Sequence, residues 1–233
     1  MKIIFLNSWN GKAKEALTKF IEEQAHDTDI FCFQEAYDAM KEISRDTLKE
    51  YEKLEKYKSL NEDDNFSQAV YIKKGLAAVT LSFGSVLENE PSIGLDLYIN
   101  IRLADNREFF ISNFHGISRP VGDDKLDDPA RIKQSKLLVE FFKNKPGLKI
   151  IGGDFNLLPE TDSIRTFTEN GYRDLVKDYD ITTTRNELAL SKYPNNRQYF
   201  ADYVFTSPDI IIKNFSVPKI EISDHLPLIV EIQ

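Results

Sequence analysis

Residues 148–159, LKIIGGDFNLLP, decide the fold of this chain. Leu148, Ile150 and Ile151 form an apolar run suited to a buried strand. Gly152 and Gly153 are expected to stop that strand and release the backbone into a tight turn. Asp154 and Asn156 follow, two residues apart, where strand gives way to loop. In open α/β sheets, positions beyond the carboxyl ends of strands aim side chains into a shared crevice. A carboxylate and an amide there can hold an activated water and a phosphoryl oxygen together. In a plain strand-to-helix turn the same two residues would only satisfy backbone amides. The stretch alone leaves both readings open.

Upstream, residues 128–142 predict a helix carrying Leu137, Leu138, Phe141 and Phe142, preceded by a loop rich in Gly, Pro and Asp. Residues 95–103 and 108–114 read as strands turning at Asp105-Asn106, and His115-Gly116 closes the second. Residues 68–73 and 76–83 read as another antiparallel pair joined by a turn at Lys74-Gly75, so the sheets should be mixed. Residues 38–65 are dense in Lys and Glu, with Leu48, Tyr51, Leu54 and Tyr57 at helical intervals. They predict a surface helix and a polar loop. At the start, residues 2–6 form an apolar run ending at Asn7. Residues 11–24 place Ala13, Ala16, Leu17, Phe20 and Ile21 on one helical stripe, and residues 29–33 end in Gln34-Glu35. Strand, helix, strand is a βαβ-like opening. Downstream, residues 161–170 predict a helix ending at Gly171, residues 181–196 are polar and irregular, and residues 199–206, 210–215 and 228–232 read as strands. No repeat and no linker-like change of composition interrupts residues 1–233, which points to one domain.

The chain is long enough to bury a sizeable core, and 41% hydrophobic with 29% charged residues is ordinary for a globular protein. No run approaches the roughly 18 apolar residues of a membrane span, and the apolar core of MKIIFLNSW is too short for a secretory signal. One cysteine, Cys32, allows no intramolecular disulfide and suits a reducing cytoplasm. The net charge of −8 gives no general basic field to draw nucleic acid. An enzyme acting on phosphates remains compatible with it, given a divalent cation and local arginines.

Polar residues recur in one kind of place. Asn7, Glu35, His115, Asp154, Asn156 and the Asp224-His225 pair all lie at the ends of apolar strands. Asp202, in FADYVF, opens or interrupts another, where a carboxylate is costly unless paired. Singly, each is an ordinary cap or a satisfied histidine. Together they combine hard oxygen ligands for Mg²⁺ or Mn²⁺ with imidazoles for proton transfer.

The motifs MKIIFLNSW, DIFCFQE, ISNFHG, GGDFN, FADYVF and ISDHLPL, in this order and across nearly the whole chain, resemble the endonuclease/exonuclease/phosphatase superfamily of metal-dependent phosphoesterases, with its DNase I-like fold. The resemblance implies a four-layer α/β sandwich, two mixed β-sheets packed face to face with helices outside, and an active site at one edge. It implies Glu35 as the main metal ligand, with Asn7 and Asp224 close to the cation. Asp154 then orients or deprotonates the attacking water, and Asn156 donates to phosphoryl oxygens. His225 bonds the phosphate while Asp202 orients it, and His115 lies near the leaving group. Trp9 stands where many nuclease members carry Asp or Asn, so nuclease metal-shell details do not transfer directly.

Arg119, Arg131 and Arg185 lie in or beside loops expected to border the site and are candidates for phosphate recognition. Asp123-Asp124 and Asp127-Asp128 form an acidic loop beside the same mouth. The expected partner is a phosphate ester, with nucleic acid among the options and a small or short phosphoester favoured over duplex DNA. A catalytically silent binding module that kept the fold is the reading of a different class.

Overall fold

Strand β1 (Lys2–Asn7) shows how the molecule is layered, because its alternate residues enter different cores. Ile4 and Leu6 pack with Leu17, Phe20 and Ile21 of helix α1 (Lys14–Gln24), whereas Ile3 and Phe5 enter the larger cluster that fills the middle of the protein. Strand β2 (Ile30–Gln34) repeats the pattern: Phe31 and Phe33 face outward to the helices, and Ile30 and Cys32 face inward. The computed structural model describes residues 1–60, 65–118, 125–191 and 198–233, and of residues 77 and 78 the backbone alone.

The remaining elements are α2 (Ala39–Thr47), β3 (Tyr51–Ser59), β4 (Asn65–Lys73), β5 (Ala77–Gly84), β6 (Leu95–Leu103), β7 (Glu108–His115), α3 (Pro129–Lys143) and β8 (Leu148–Asp154). After them come α4 (Asp162–Glu169), β9 (Arg173–Asp174), α5 (Leu175–Asp178), α6 (Glu187–Leu190), β10 (Asp202–Thr206), β11 (Ile212–Ser216) and β12 (Leu228–Ile232). Two six-stranded sheets result, ordered β11-β12-β1-β2-β4-β3 and β5-β6-β7-β8-β10-β9. Each has one parallel pair, β1 with β2 and β7 with β8, among antiparallel neighbours. Crossovers through α1 and α3 account for those pairs. The sheets face each other, β1 against β8 and β2 against β7, with α1 and α2 outside one and α3 and α4 outside the other. This is the four-layer α/β sandwich expected from the sequence, with both sheets mixed.

Three local expectations are corrected. The glycines of LKIIGGDFN do not end their strand, because β8 runs through both to Asp154. A Cβ on Gly152 would lie 2.9 Å from the Phe5 ring of the facing sheet, so this position keeps the sheets in close approach. Gly153 has φ +130°, and a Cβ there would lie 2.2 Å from the Phe114 carbonyl oxygen. Secondly, residues 51–59 form a strand and not helix or loop. Leu54, Lys56 and Lys58 are half-buried and alternate with exposed neighbours, and Tyr57 is exposed. The three-residue spacing of aromatic and aliphatic residues was incidental to an edge strand guarded by lysines. Thirdly, Lys74-Gly75 joins no hairpin. β4 and β5 belong to different sheets, and the turn carries the chain from one to the other. Among the described residues no helix is long and apolar enough to cross a membrane.

The loop between β5 and β6 is held by a half-buried ammonium and a buried carboxyl. Lys58 Nζ donates to the carbonyls of Leu87, Glu90, Ile93 and Gly94. Asp96 Oδ1 accepts from Ser85 Oγ and Val86 N, both at 2.8 Å, and from Leu87 N at 3.0 Å. Burial outweighs these bonds and pushes the Asp96 carboxyl up to about 6. The fold therefore holds this proton more tightly than the unfolded chain, and the stability from protonated Asp96 declines as pH rises through the interval between the ordinary carboxylate value and about 6. Asp96→Asn removes that titration and keeps an acceptor in place. Its stability relative to wild type should rise by about 2 kcal/mol between pH 4 and pH 7. Urea melts of the two proteins at several pH values check this, and a constant difference would contradict it.

Candidate active site

The inward faces of the central strands turn polar at one end of the sandwich. Along β1, Ile3 and Phe5 are followed by Asn7; along β2, Ile30 and Cys32 by Gln34. Along β7, Phe109 and Ile111 give way to Asn113 and His115, and along β8, Ile150 and Gly152 to Asp154. Asp202 opens β10 directly opposite Asp154 in register. Because the parallel pairs of both sheets end together, their last inward side chains converge between the sheets. Gln34 Nε2 donates to Asn113 Oδ1 at 2.5 Å, and Asn113 Nδ2 donates to the Phe33 carbonyl at 2.9 Å. This pair forms a polar floor that ties the two sheets beneath the site.

Asp154 is the hub. Its Oδ2 accepts from Asn7 Nδ2 at 3.0 Å and lies 3.6 Å from both His115 Nε2 and His225 Nε2, while its Oδ1 accepts from Asn156 N at 2.9 Å. Asn7 Nδ2 also donates to Glu35 Oε1 at 3.0 Å, so two carboxylates flank one amide. His225 Nδ1 lies 2.9 Å from both oxygens of Asp202, and Arg185 Nη2 lies 3.5 Å from Asp224 Oδ2. His115 stands edge-on to Phe66 with ring centroids 5.0 Å apart. Glu35 and Asn156 adopt φ of 51° and 55°. Such left-handed conformations in non-glycine residues cost about 1 kcal/mol or more and gather at functional sites.

The charges are strongly coupled. Burial pushes the Asp154 carboxyl up, but His225, His115, Lys125 and Arg185 outweigh it and hold the carboxyl well below the usual range. Burial, with Asp154 nearby, raises Asp202 against the pull of His225. Burial and Arg185 disfavour the His225 imidazolium, yet Asp202 and Asp154 more than offset them and its pKa is raised. The result is an imidazole biased toward its charged form beside an Asp154 held ionised.

Of the residues singled out from sequence, Asn7, Glu35, His115, Asp154, Asn156, Asp202, Asp224, His225 and Arg185 are brought together. Arg131, 0% exposed, donates to the carbonyls of Leu126 at 2.6 Å and Ile117 at 3.3 Å, and Asp154 lies near enough to favour its charge. Arg119, Asp123 and Asp124 lie outside the described residues. Asp127 and Asp128 do not form an open acidic rim: Asp127 accepts from Ser163 N and Oγ at the start of α4, and Asp128 caps α3 through Ala130 N and Arg131 N. Sequence reasoning missed Lys125, Gln34 and Asn113. Lys125 is buried and donates to Asn156 Oδ1. Its signal was a single cation inside the acidic run DDKLDD. For Gln34 and Asn113 the signal was amides at inward positions of otherwise apolar strands.

Two groups could hold a cation, and they share Asp154. Ligand atoms of Asp154, Asp202 and His225 lie within 4.8 Å of one another. Asp202 and His225 already satisfy each other, however. The carboxylate oxygens of Glu35 and Asp154, on either side of an Asn7 amide whose Oδ1 accepts from Trp9 N at 3.0 Å, suit a small hard cation better.

Comparison with known proteins agrees with this geometry. The family model described as the Endonuclease/Exonuclease/phosphatase family matches residues 6–225. No curated protein matches. Among solved structures, a mannosyl-6-phosphatase of Bacteroides thetaiotaomicron VPI-5482 is similar at 19% identity and TM-score 0.75, covering 100% of this chain and 99% of that one. The human Nocturnin catalytic domain with bound sulfate is similar at 14% identity and TM-score 0.72, covering 100% and 94%. D. rerio TDP2 complexed with a single strand DNA product is similar at 15% identity and TM-score 0.72, covering 100% and 98%. At such identities the likeness to these structures establishes the fold. With a family match over nearly the whole chain and the polar strand ends gathered at one edge of that fold, the protein belongs to the endonuclease/exonuclease/phosphatase family of phosphoesterases.

Proposed function

We propose that the protein is a divalent-metal-dependent phosphoesterase that hydrolyses its substrate by in-line attack of water. The observation that carries this reading is the convergence on Asp154 of an amide, two imidazoles and a backbone N–H within 3.6 Å. A silent binding module has no need of so many buried charges kept in register. Glu35 and Asp154, with Asn7 and Asp224 nearby, would hold Mg²⁺ or Mn²⁺. When bound, that cation polarises the phosphoryl group and offsets developing charge.

The chain's own groups divide the remaining work. Asp154, kept ionised by its cationic neighbours, accepts a hydrogen bond from the attacking water and aligns it. His225, favoured as imidazolium, gives one N–H to Asp202 and aims Nε2–H at a non-bridging oxygen. Asn156 Nδ2 is a second donor, and Arg185 neutralises charge at the mouth. His115 Nε2 faces the same space, suited to the leaving oxygen.

The substrate we favour is a small or short phosphoester. A cavity of about 380 Å³ lined by Arg185, Tyr199, Lys219 and Leu226 adjoins the site and is of a size for a small organic group. A chain with 38 acidic and 30 basic residues has no extended track of cations for a duplex. At one fixed physiological salt, kcat/KM on small esters should exceed that on plasmid; efficient plasmid nicking would reverse the preference. Calorimetry tests the metal separately. Mn²⁺ should bind the wild type, and Glu35→Gln should weaken it about tenfold or more while the fold survives. Equal affinity in both would remove Glu35 from the metal set.

A further inference from the structure

Among the described residues of this space, Lys125 makes a side-chain hydrogen bond to Asn156 that helping to hold Asp154 ionised does not account for. It is 8% exposed, its carbonyl accepts from Leu158 N at 2.8 Å, and its Nζ donates to Asn156 Oδ1. The Asn156 backbone is fixed independently, with N donating to Asp154 Oδ1 at 2.9 Å and to the Ala201 carbonyl at 3.1 Å. Its side-chain Nδ2 donates to the Gly116 carbonyl at 3.2 Å. That bond uses one of two N–H groups and leaves the other for a ligand.

An amide keeps its shape when turned by 180°, so sterics alone do not decide which end faces the substrate. The decision rests on partners. An ammonium is a donor without acceptor capacity, so a flipped Asn156 would set –NH₂ against –NH₃⁺ and carbonyl against the Gly116 carbonyl. Such a bond from a charged donor is also stronger than a neutral one, and it draws electron density from the amide nitrogen. Desolvation lowers the Lys125 ammonium to about 8; Asp154 and Asp202 act to keep it charged, against Arg185 and Arg131.

We propose that Lys125 is the positioning residue for Asn156: it fixes the amide with oxygen inward, turns the remaining Nδ2–H toward the phosphoryl oxygen and strengthens it as a donor. This rests on the phosphoesterase reading above. It predicts that Lys125 acts through Asn156 and not through Asp154, whose carboxyl His225, His115 and Arg185 still hold down when Lys125 is replaced, and a double-mutant cycle measures that dependence.

The substrates are p-nitrophenyl phosphate and bis(p-nitrophenyl) phosphate, with saturating Mn²⁺, using whichever the wild type turns over. Lys125→Met keeps the length of the buried stem without its charge. It should lower kcat about 100-fold, the scale of losing one oriented donor, with KM changed less than about threefold. In an Asn156→Ala background the same substitution should cost less than about threefold. Lys125→Arg, also a donor without acceptor capacity, should recover part of kcat. Losses that multiply in the double variant would overturn the proposal, because Lys125 would then act on substrate or on another group. Full activity of Lys125→Met, or a kcat loss in Lys125→Met and Lys125→Arg alike that tracks a lowered melting temperature, would also overturn it. A wild type inactive on every phosphoester fails the underlying reading instead, before any variant is compared.

Discussion

Asp154→Asn is expected to lower kcat about a thousandfold or more while the protein still folds. The substitution keeps an oxygen for the Asn156 backbone N–H, which donates at 2.9 Å. It places a neutral amide where Asn7 Nδ2 and both imidazoles now meet a carboxylate. Two effects add. The water loses its anionic acceptor, and His225 loses one of the two carboxylates that raise its pKa, so the charged imidazolium becomes scarcer at neutral pH. The loss should therefore deepen as pH rises. Rates from pH 5.5 to 8.5, with circular-dichroism melts as control, check both points. A loss below tenfold, equal at every pH, would remove Asp154 from the centre of the chemistry.

The second large effect belongs to His225 and Asp202 acting as one unit. His225→Ala removes the donor outright. Asp202→Asn leaves the ring but sets an amide beside Nδ1, where two carboxylate oxygens now lie at 2.9 Å, and so frees its tautomer and charge. Each should cost about 100-fold or more in kcat, and the double variant should be no worse than His225→Ala alone. Metal affinity by calorimetry should stay close to wild type in Asp202→Asn, since Asp202 is engaged with the ring. Multiplying losses would break the pairing, and lost metal affinity would favour the Asp154, Asp202 and His225 group as the cation's cradle.

Much of this was legible in the sequence because of parity. A strand that buries both faces reads as a continuous apolar run, and a polar residue at its end is conspicuous. Asn7, His115 and Asp154 stood out for that reason, and all prove to lie on inward faces. The hairpin of β6 and β7 was equally plain from Asp105-Asn106 between two alternating runs. Less legible was anything set by the other sheet. Gly152 looked like a turn residue, but its reason is the Phe5 ring across the core, 147 positions earlier in the chain. Residues 51–59 have too few apolar positions to declare a two-residue period, because one side of an edge strand has no neighbour to bury it. Arg131 and Lys125 sit in the same stretch of charges and are both buried, and only their partners separate the arginine that closes a loop from the lysine that reaches the site. Helix caps were hidden for a similar reason: Asp127 and Asp128 are acidic in sequence but serve backbone N–H groups in the fold.

The central claim is that the polar edge between the two sheets hydrolyses phosphate esters with the help of a divalent cation. The most direct test is turnover across nucleotides, sugar phosphates, phospholipids and oligonucleotides by wild type and Asp154→Ala, each with Mg²⁺ or Mn²⁺ and with EDTA. The expected result is turnover of at least one class by wild type with metal, loss with EDTA, recovery on adding metal back, and no turnover by the variant. Turnover that persists in EDTA or in Asp154→Ala, or none by wild type in any metal, would contradict it.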